Sequence, residues 1–196
     1  MTEPVPHLYP SEPVAVRLMN TIWADRDGVH DALTTVDQLR EWFALSELSG
    51  ASLLRQADLQ AFRSLRNALR RVAAEVTTDS RRRAASAITD LDGAIAVINT
   101  ASAPSLPTLA RSDGRLSLEW QTDARGGELV RSRLALEASQ LFIGEPPVLR
   151  ACYGPGCVLY FVKDHPRRAW CSAACGNRAR VARHYEKSRQ AKLSEN

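Results

Sequence analysis

Neither lysine nor cysteine occurs anywhere in the first 150 of the 196 residues. Without cysteine, that stretch has no thiolate nucleophile, no thiolate metal ligand and no disulfide of its own. Histidine is scarce there too, with only His7 and His30, and there is neither a glycine-rich phosphate loop nor a G-x-S-x-G turn. These absences argue against an enzyme. No run approaches the ~18–20 consecutive apolar residues of a membrane span. Met1 to Pro10 offers acid, histidine and proline where a secretory signal needs a basic patch and an apolar run. The expected compartment is therefore the cytoplasm, with no membrane partner. Apolar residues make up 44% and charged residues 24%, close to globular averages, which excludes wholesale disorder and rod-like folds.

The charge is unevenly placed. Residues 1–150 carry 17 arginines and 19 acids, a net of −2, whereas residues 151–196 carry nine lysines or arginines and three acids, a net of +6. Such asymmetry points to a polyanion-binding module on a near-neutral body, the alternative being a solvated tail.

The body reads as mostly helical. A first helix is expected over Glu12–Trp23, capped by Ser11, with Val14, Leu18 and Ile22 on one face. Thr35 and Gln38 have the spacing of a capping box and open a helix through Leu39, Trp42 and Phe43 toward Gly50. Leu59, Phe62, Leu65, Leu69, Val72 and Val76 keep steps of three and four, which predicts a helix over Asp58–Val76. Ile88, Leu91, Ile95 and Ile98 predict another over Arg81–Thr100, with Arg81, Arg82 and Arg83 as its solvated start. Leu106–Ala110 and Arg115–Gln121 read as a hairpin around Ser112-Asp113-Gly114. A helix over Glu128–Ile143 follows, and Gly144-Glu145-Pro146-Pro147 closes the body.

All four cysteines lie beyond that boundary, as C-x4-C-x13-C-x3-C: Cys152, Cys157, Cys171 and Cys175. Two close pairs separated by a loop are what a tetrahedral thiolate zinc site needs. Gly154, Pro155 and Gly156 permit the sharp turn of a knuckle. Ser172 reads as the N-cap of a helix that carries Cys175 in its first turn. Val158 to Val162 is an apolar run fit for a strand, and Lys163-Asp164-His165-Pro166 follows as a turn; knuckle, then hairpin, then the helix with the second pair is the treble-clef arrangement. Two disulfides or a redox pair are the competing readings. A cytosolic chain disfavours the first, and the absence of C-x-x-C spacing disfavours the second. His165 is a spare ligand for a site that four cysteines already fill. The expected cofactor is one structural Zn2+, with no open position for catalysis.

Stepping 100° per residue from Cys175 places Ala179 and Ala182 toward the zinc, with Tyr185 at the edge of that core. Arg180, Arg183, His184 and Lys187 share a stripe roughly 100° wide on the far side. Arg167 and Arg168 on the preceding turn extend the same basic surface, which suits phosphates and guanine edges of DNA. Phosphate contacts look alike, so RNA or an acidic protein is the alternative partner. Arg178 falls on the zinc side and is assigned to screening the thiolates or bracing the loop, not to DNA.

Trp170-Cys171-Ser172, Cys175-Gly176-Asn177-Arg178 and the following Ala179-Arg180-Val181-Ala182-Arg183 resemble the CGNR zinc finger. That module ends a family of bacterial proteins whose larger N-terminal part is the ABATE domain. Asn20-Thr21, the Trp42 helix and Leu65-Arg66…Leu69-Arg70 are similar to that domain's pattern. One departure is the Lys163-Asp164-His165-Pro166 turn, where a small hydroxyl residue is expected after the aspartate. The resemblance implies a stress-induced transcription regulator, with DNA binding by the finger and ligand sensing by the larger domain.

The expected architecture is thus mainly α with a small β-hairpin: a helical domain over 1–147 and a treble-clef-like zinc finger over 148–196. Asn20, Thr21 and Arg66, polar residues beside apolar helix faces, are candidates for an effector pocket; the alternative is that they cap helices or satisfy buried backbone. Asp25, Asp27 and Asp31 cluster but lack the remaining ligands of a calcium loop. One finger offers little contact area, so dimerisation through the helical body is also expected.

Overall fold

The computed structural model describes residues 10–194, so most of the Met1 to Pro10 stretch read above lies outside the described residues. Helix α3 (Gln56–Val76) is the central element. Its regular apolar steps bury Leu59, Phe62, Leu65, Leu69 and Val72, whereas Val76 at its end is exposed. Around it pack α1 (Val14–Met19), α2 (Val36–Leu45), α4 (Leu91–Ser102) and α5 (Gly126–Ile143). Trp42, Phe43 and Phe62 meet at ring-centroid distances of 5.3 to 6.0 Å in tilted and edge-on geometries, the favoured arrangement for aromatic rings.

Helix α2 begins where its capping box places it. The Thr35 hydroxyl accepts the Gln38 N–H at 3.2 Å, and the Gln38 carboxamide accepts the Thr35 N–H at 3.0 Å. Thr35→Ala should therefore cost about 1 kcal/mol in urea unfolding; a loss under ~0.3 kcal/mol would show that tertiary packing alone holds this helix start.

Helix α2 ends at Leu45, short of Gly50, and two other helices are also shorter than the sequence suggests. Helix α1 starts after Pro13, not after Ser11, and stops at Met19. There the chain turns into β1 (Ile22–Ala24), which pairs antiparallel with β2 (Val29–Asp31), so Ile22 lies on a strand. The turn is fixed by Thr21, whose hydroxyl donates to the Leu18 carbonyl at 2.8 Å. Helix α4 starts ten residues later than expected, because Asp90 caps it by accepting the Gly93 N–H. Residues 81–90 instead follow an irregular path with one 3-10 turn, Arg82–Ala84.

The described residues form three two-stranded antiparallel sheets, of which only the β1–β2 pair left no sign in the sequence. The expected hairpin is β3 (Leu106–Ser112) with β4 (Arg115–Gln121), in unbroken register from Leu106↔Gln121 to Ser112↔Arg115. Its two-residue turn, Asp113-Gly114, has positive φ at both positions, as a type I′ turn requires. The third sheet joins β5 (Leu149–Ala151) to β6 (Tyr160–Val162), and helix α6 (Ala173–Ser194) follows. The knuckle is thus the loop of this hairpin, not an element preceding it. Leu149, Ala151 and Tyr160 belong to the main hydrophobic core, while the cysteines form a second cluster with Val158, Leu159 and Phe161. No described helix is long and apolar enough to cross a membrane.

Candidate metal centre and nucleic-acid interface

Cys152 and Cys157 sit at the two ends of the knuckle, Cys171 ends the loop after β6, and Cys175 lies in the first turn of α6. Their sulfurs all lie within 4.8 Å of one another, and all four residues are buried and free of disulfides. Cys171 Sγ is 3.8 Å from Cys157 Sγ and 3.4 Å from Cys175 Sγ. These separations exceed the ~2.05 Å of a disulfide. They are close to the ~3.8 Å edge of a tetrahedron with ~2.3 Å zinc–sulfur arms. Among the described residues no other group of His, Cys, Asp and Glu gathers in this way. His165 is exposed on its turn and stays outside the cluster.

The surroundings fit a thiolate centre. N–H donors aim at sulfur from Cys171 (to Cys152, 3.4 Å) and Leu159 (to Cys157, 3.5 Å), and the Arg178 guanidinium donates to Cys175 Sγ at 3.0 Å. Crowding makes the thiols ionise unequally: the hydrogen bond with Cys157 pulls Cys152 down to about 7, while the hydrogen bond with Cys152 pushes Cys171 far up. A divalent cation removes that conflict by holding all four as thiolates. At Gly154 a Cβ would stand 2.8 Å from Cys175 Cβ and 3.1 Å from its sulfur, so only glycine lets the knuckle close on the helix.

The Cys-Gly-Asn-Arg run now has a part for each residue. Cys175 is a ligand, and Ser172 caps its helix by accepting the Cys175 N–H at 3.2 Å. Gly176 lies under Trp170, whose Cδ1 would be 3.1 Å from any added Cβ. Asn177 accepts a hydrogen bond from Arg180, and Arg178 screens the thiolate as expected.

Beyond Ala179, which is buried against the module, α6 runs into solvent. Arg180, Arg183, His184 and Lys187 are all exposed, as is Arg167 on the preceding turn. Tyr185 does not border the module's core; it is exposed because the helix outruns the module. Arg168 also departs from expectation. It pairs with buried Glu12, donates to the carbonyls of Val162 (2.9 Å) and Cys171 (3.3 Å), and lies over the Phe161 ring. A side chain so engaged is a brace between the finger and the start of the body, not part of an open basic surface. Burial keeps the Glu12 carboxyl above its ordinary range, despite the bonds from Val162 N–H and Arg168.

Asn20, Thr21 and Arg66 are buried, and their polar atoms are engaged within the protein. The Asn20 carboxamide donates to the Tyr160 carbonyl at 2.8 Å and accepts the Tyr160 N–H at 2.9 Å. Arg66 makes a two-pronged pair with Asp31, at 2.5 and 2.9 Å, and donates to Thr21 Oγ1. The effector-pocket reading of these three is therefore set aside. With Asp31 held by Arg66, and Asp25 paired with His30 at 2.8 Å, the aspartate cluster is not a cation loop either.

Two further arginines fasten the finger, and the sequence reading missed both roles. Arg81, read as solvated, is largely buried in an ion pair with Asp79 and donates to the carbonyls of Cys152 (2.8 Å), Cys157 (3.2 Å) and Leu159 (3.1 Å). Arg70, fully buried on α3, donates to the carbonyls of Met19, Ala84 and Val158. Burial lowers its guanidinium to about 10. Both guanidiniums lie over the Tyr160 ring, at 5.3 Å for Arg70 and 5.1 Å for Arg81, and the Tyr160 hydroxyl donates to Asp79 at 2.8 Å. For Arg66 and Arg70 a sequence signal did exist: each steps by four along the buried side of α3. The triplet at 81–83 carried none.

Residues 12–145 match the ABATE family model, described as "Putative stress-induced transcription regulator", and residues 149–188 match the CGNR zinc finger. No curated protein and no solved structure matches the chain. The first match covers well over half of the chain, and the four-cysteine centre lies inside the second: the chain belongs to the ABATE family and carries a CGNR zinc finger with one structural zinc.

Proposed function

We propose that this protein is a bacterial, cytoplasmic, non-enzymatic transcription regulator that binds DNA through its zinc finger. The observation that carries the reading is the exposed basic stripe of α6, whose first turn is tied to the zinc centre through Cys175. Arg180, Arg183, His184 and Lys187, joined by Arg167, neutralise backbone phosphates, and an arginine can add a bidentate bond to a guanine edge. The zinc gives the helix a fixed base, so its cations arrive as a set. The helical domain over 1–147 holds the finger through Arg70, Arg81 and Arg168. Ligand sensing by that domain would act by shifting these braces.

Fluorescence anisotropy of zinc-loaded protein on random duplex DNA, titrated with salt beside an EDTA-treated control, tests this. Zinc-dependent binding with a log–log salt slope of several units is expected. Arg183→Ala should weaken it and flatten the slope by about one unit. No binding at low salt would reject direct DNA recognition, and tighter binding to folded RNA or to an acidic protein would transfer the stripe to that partner.

A further inference from the structure

We propose that the β3–β4 hairpin is a dimerisation arm: its apolar face seats in a cleft beside α5 of a second copy of this chain, and that copy's arm seats in the first. The inference stands apart from any reading of nucleic-acid binding. Cross-strand partners share a face and alternate along a ladder. The register therefore puts Pro107, Leu109, Arg111, Leu116, Leu118 and Trp120 on one side. Leu109 is 74% exposed, Leu116 68% and Leu118 59%. Three large apolar side chains in a row on a projecting hairpin are not a scatter of surface residues. They form a patch of the kind that marks a contact.

The same chain offers the matching receptor. A cleft of about 530 Å³ runs between α5 and the segment after α2, with Leu48, Leu53, Leu129 and Val130 among its walls. Trp120, at the base of the hairpin's apolar face, is also a wall of this cleft and lies under Arg133 at 5.5 Å. Arm and cleft are thus one continuous apolar surface within each copy. Two such surfaces related by a two-fold axis can each receive the other's arm, which gives a closed dimer. Charge agrees with this occupant. Arg111 stands at the tip end of the apolar face, and the cleft wall carries two carboxylates, Glu47 and Glu137, against one cation, Arg133; Glu47 interacts with Arg17 of its own chain but forms no close ion pair among the described residues. A small ligand in the cleft would leave Leu109 and Leu116 in water; a second arm covers them. Each seven-residue strand is ~24 Å long. Reciprocal exchange of two arms buries roughly 1,000 Å², about what a specific interface needs.

Sedimentation equilibrium of the zinc-loaded full chain measures this directly. The expected mass is twice the 21.6 kDa of one chain. Leu109→Arg, an exposed position whose change leaves circular dichroism and zinc content intact, should weaken the dimer at least ~tenfold. Glu47→Arg and Arg111→Glu should each weaken it alone, and a mixture of the two charge-reversed proteins should recover it. A monomer at 100 μM wild-type chain would overturn the proposal. So would a dimer indifferent to Leu109→Arg, or a charge-reversed mixture that stays monomeric.

Discussion

Removing the zinc, by chelation or by Cys171→Ser, should unfold the finger and lower the melting temperature of the helical body with it. Structural zinc centres contribute ~10–16 kcal/mol of binding free energy to the folding of their modules. Here the loss reaches further, because the body's own buried groups use the finger as partner. Arg70 would lose the Val158 carbonyl, Arg81 those of Cys152, Cys157 and Leu159, and Asn20 both backbone bonds to Tyr160. Leu149, Ala151 and Tyr160 would also leave the main core. The helices should persist, as α3 is built on its own apolar face, but at reduced stability. Calorimetry of the holo chain should give one transition that moves down on EDTA treatment. Two independent transitions, the upper one unmoved by EDTA, would show that finger and body fold separately.

The second large effect is expected at Arg81. Arg81→Ala strips the ion-pair partner from Asp79, whose side chain is 2% exposed, and removes the Nη1 group shared by the three knuckle carbonyls. Leaving a buried charge unpaired costs about 3–5 kcal/mol, which at this chain length is a drop on the order of 10 °C. The pH dependence carries a sign. Burial raises the Asp79 carboxyl, but the hydrogen bonds from Arg81 and Tyr160 outweigh it and leave it below its ordinary 3.8. A depressed carboxylate stabilises the fold above that ordinary value, and the contribution disappears as the pH falls through the lower, folded one. In the variant, burial dominates and Asp79 prefers its proton. The stability gap between wild type and Arg81→Ala should therefore narrow on going from pH 7 toward pH 4. A gap that stays below ~1 kcal/mol at pH 7, or widens in acid, would show that Arg81 is not the partner that matters.

The parts of the molecule legible in its sequence are those whose causes are local. Cysteine spacing reports the zinc because each pair bites from one short turn, and Asp113-Gly114 reports the hairpin because few residues accept positive φ twice in succession. Thr35 and Gln38 report a helix start because the capping bonds span three residues. The joint between the domains is not local. Arg81 meets carbonyls more than seventy residues away, and Glu12 meets Arg168 across almost the whole chain, so neither leaves a periodic trace. Arginine triplets are common on solvated surfaces, and only the fold shows that the first of these three is inside. The same applies to Asn20: at the C-cap of α1, its carboxamide bonds to a strand 140 residues further on.

Those bonds have one more consequence. In the β5–β6 pair the ladder runs through Cys152 N–H to Leu159 and Lys163 N–H to Val148, so the backbone groups of Tyr160 and Val162 point away from β5. A third strand would ordinarily be free to add there. Instead Asn20 takes both groups of Tyr160, Glu12 takes the Val162 N–H, and Arg168 takes the Val162 carbonyl. Side chains seal the open edge of the finger's sheet as completely as a neighbouring strand would. The helical body is thus also a guard against edge-to-edge aggregation, and a finger parted from it would present an unsatisfied edge to the next chain it met.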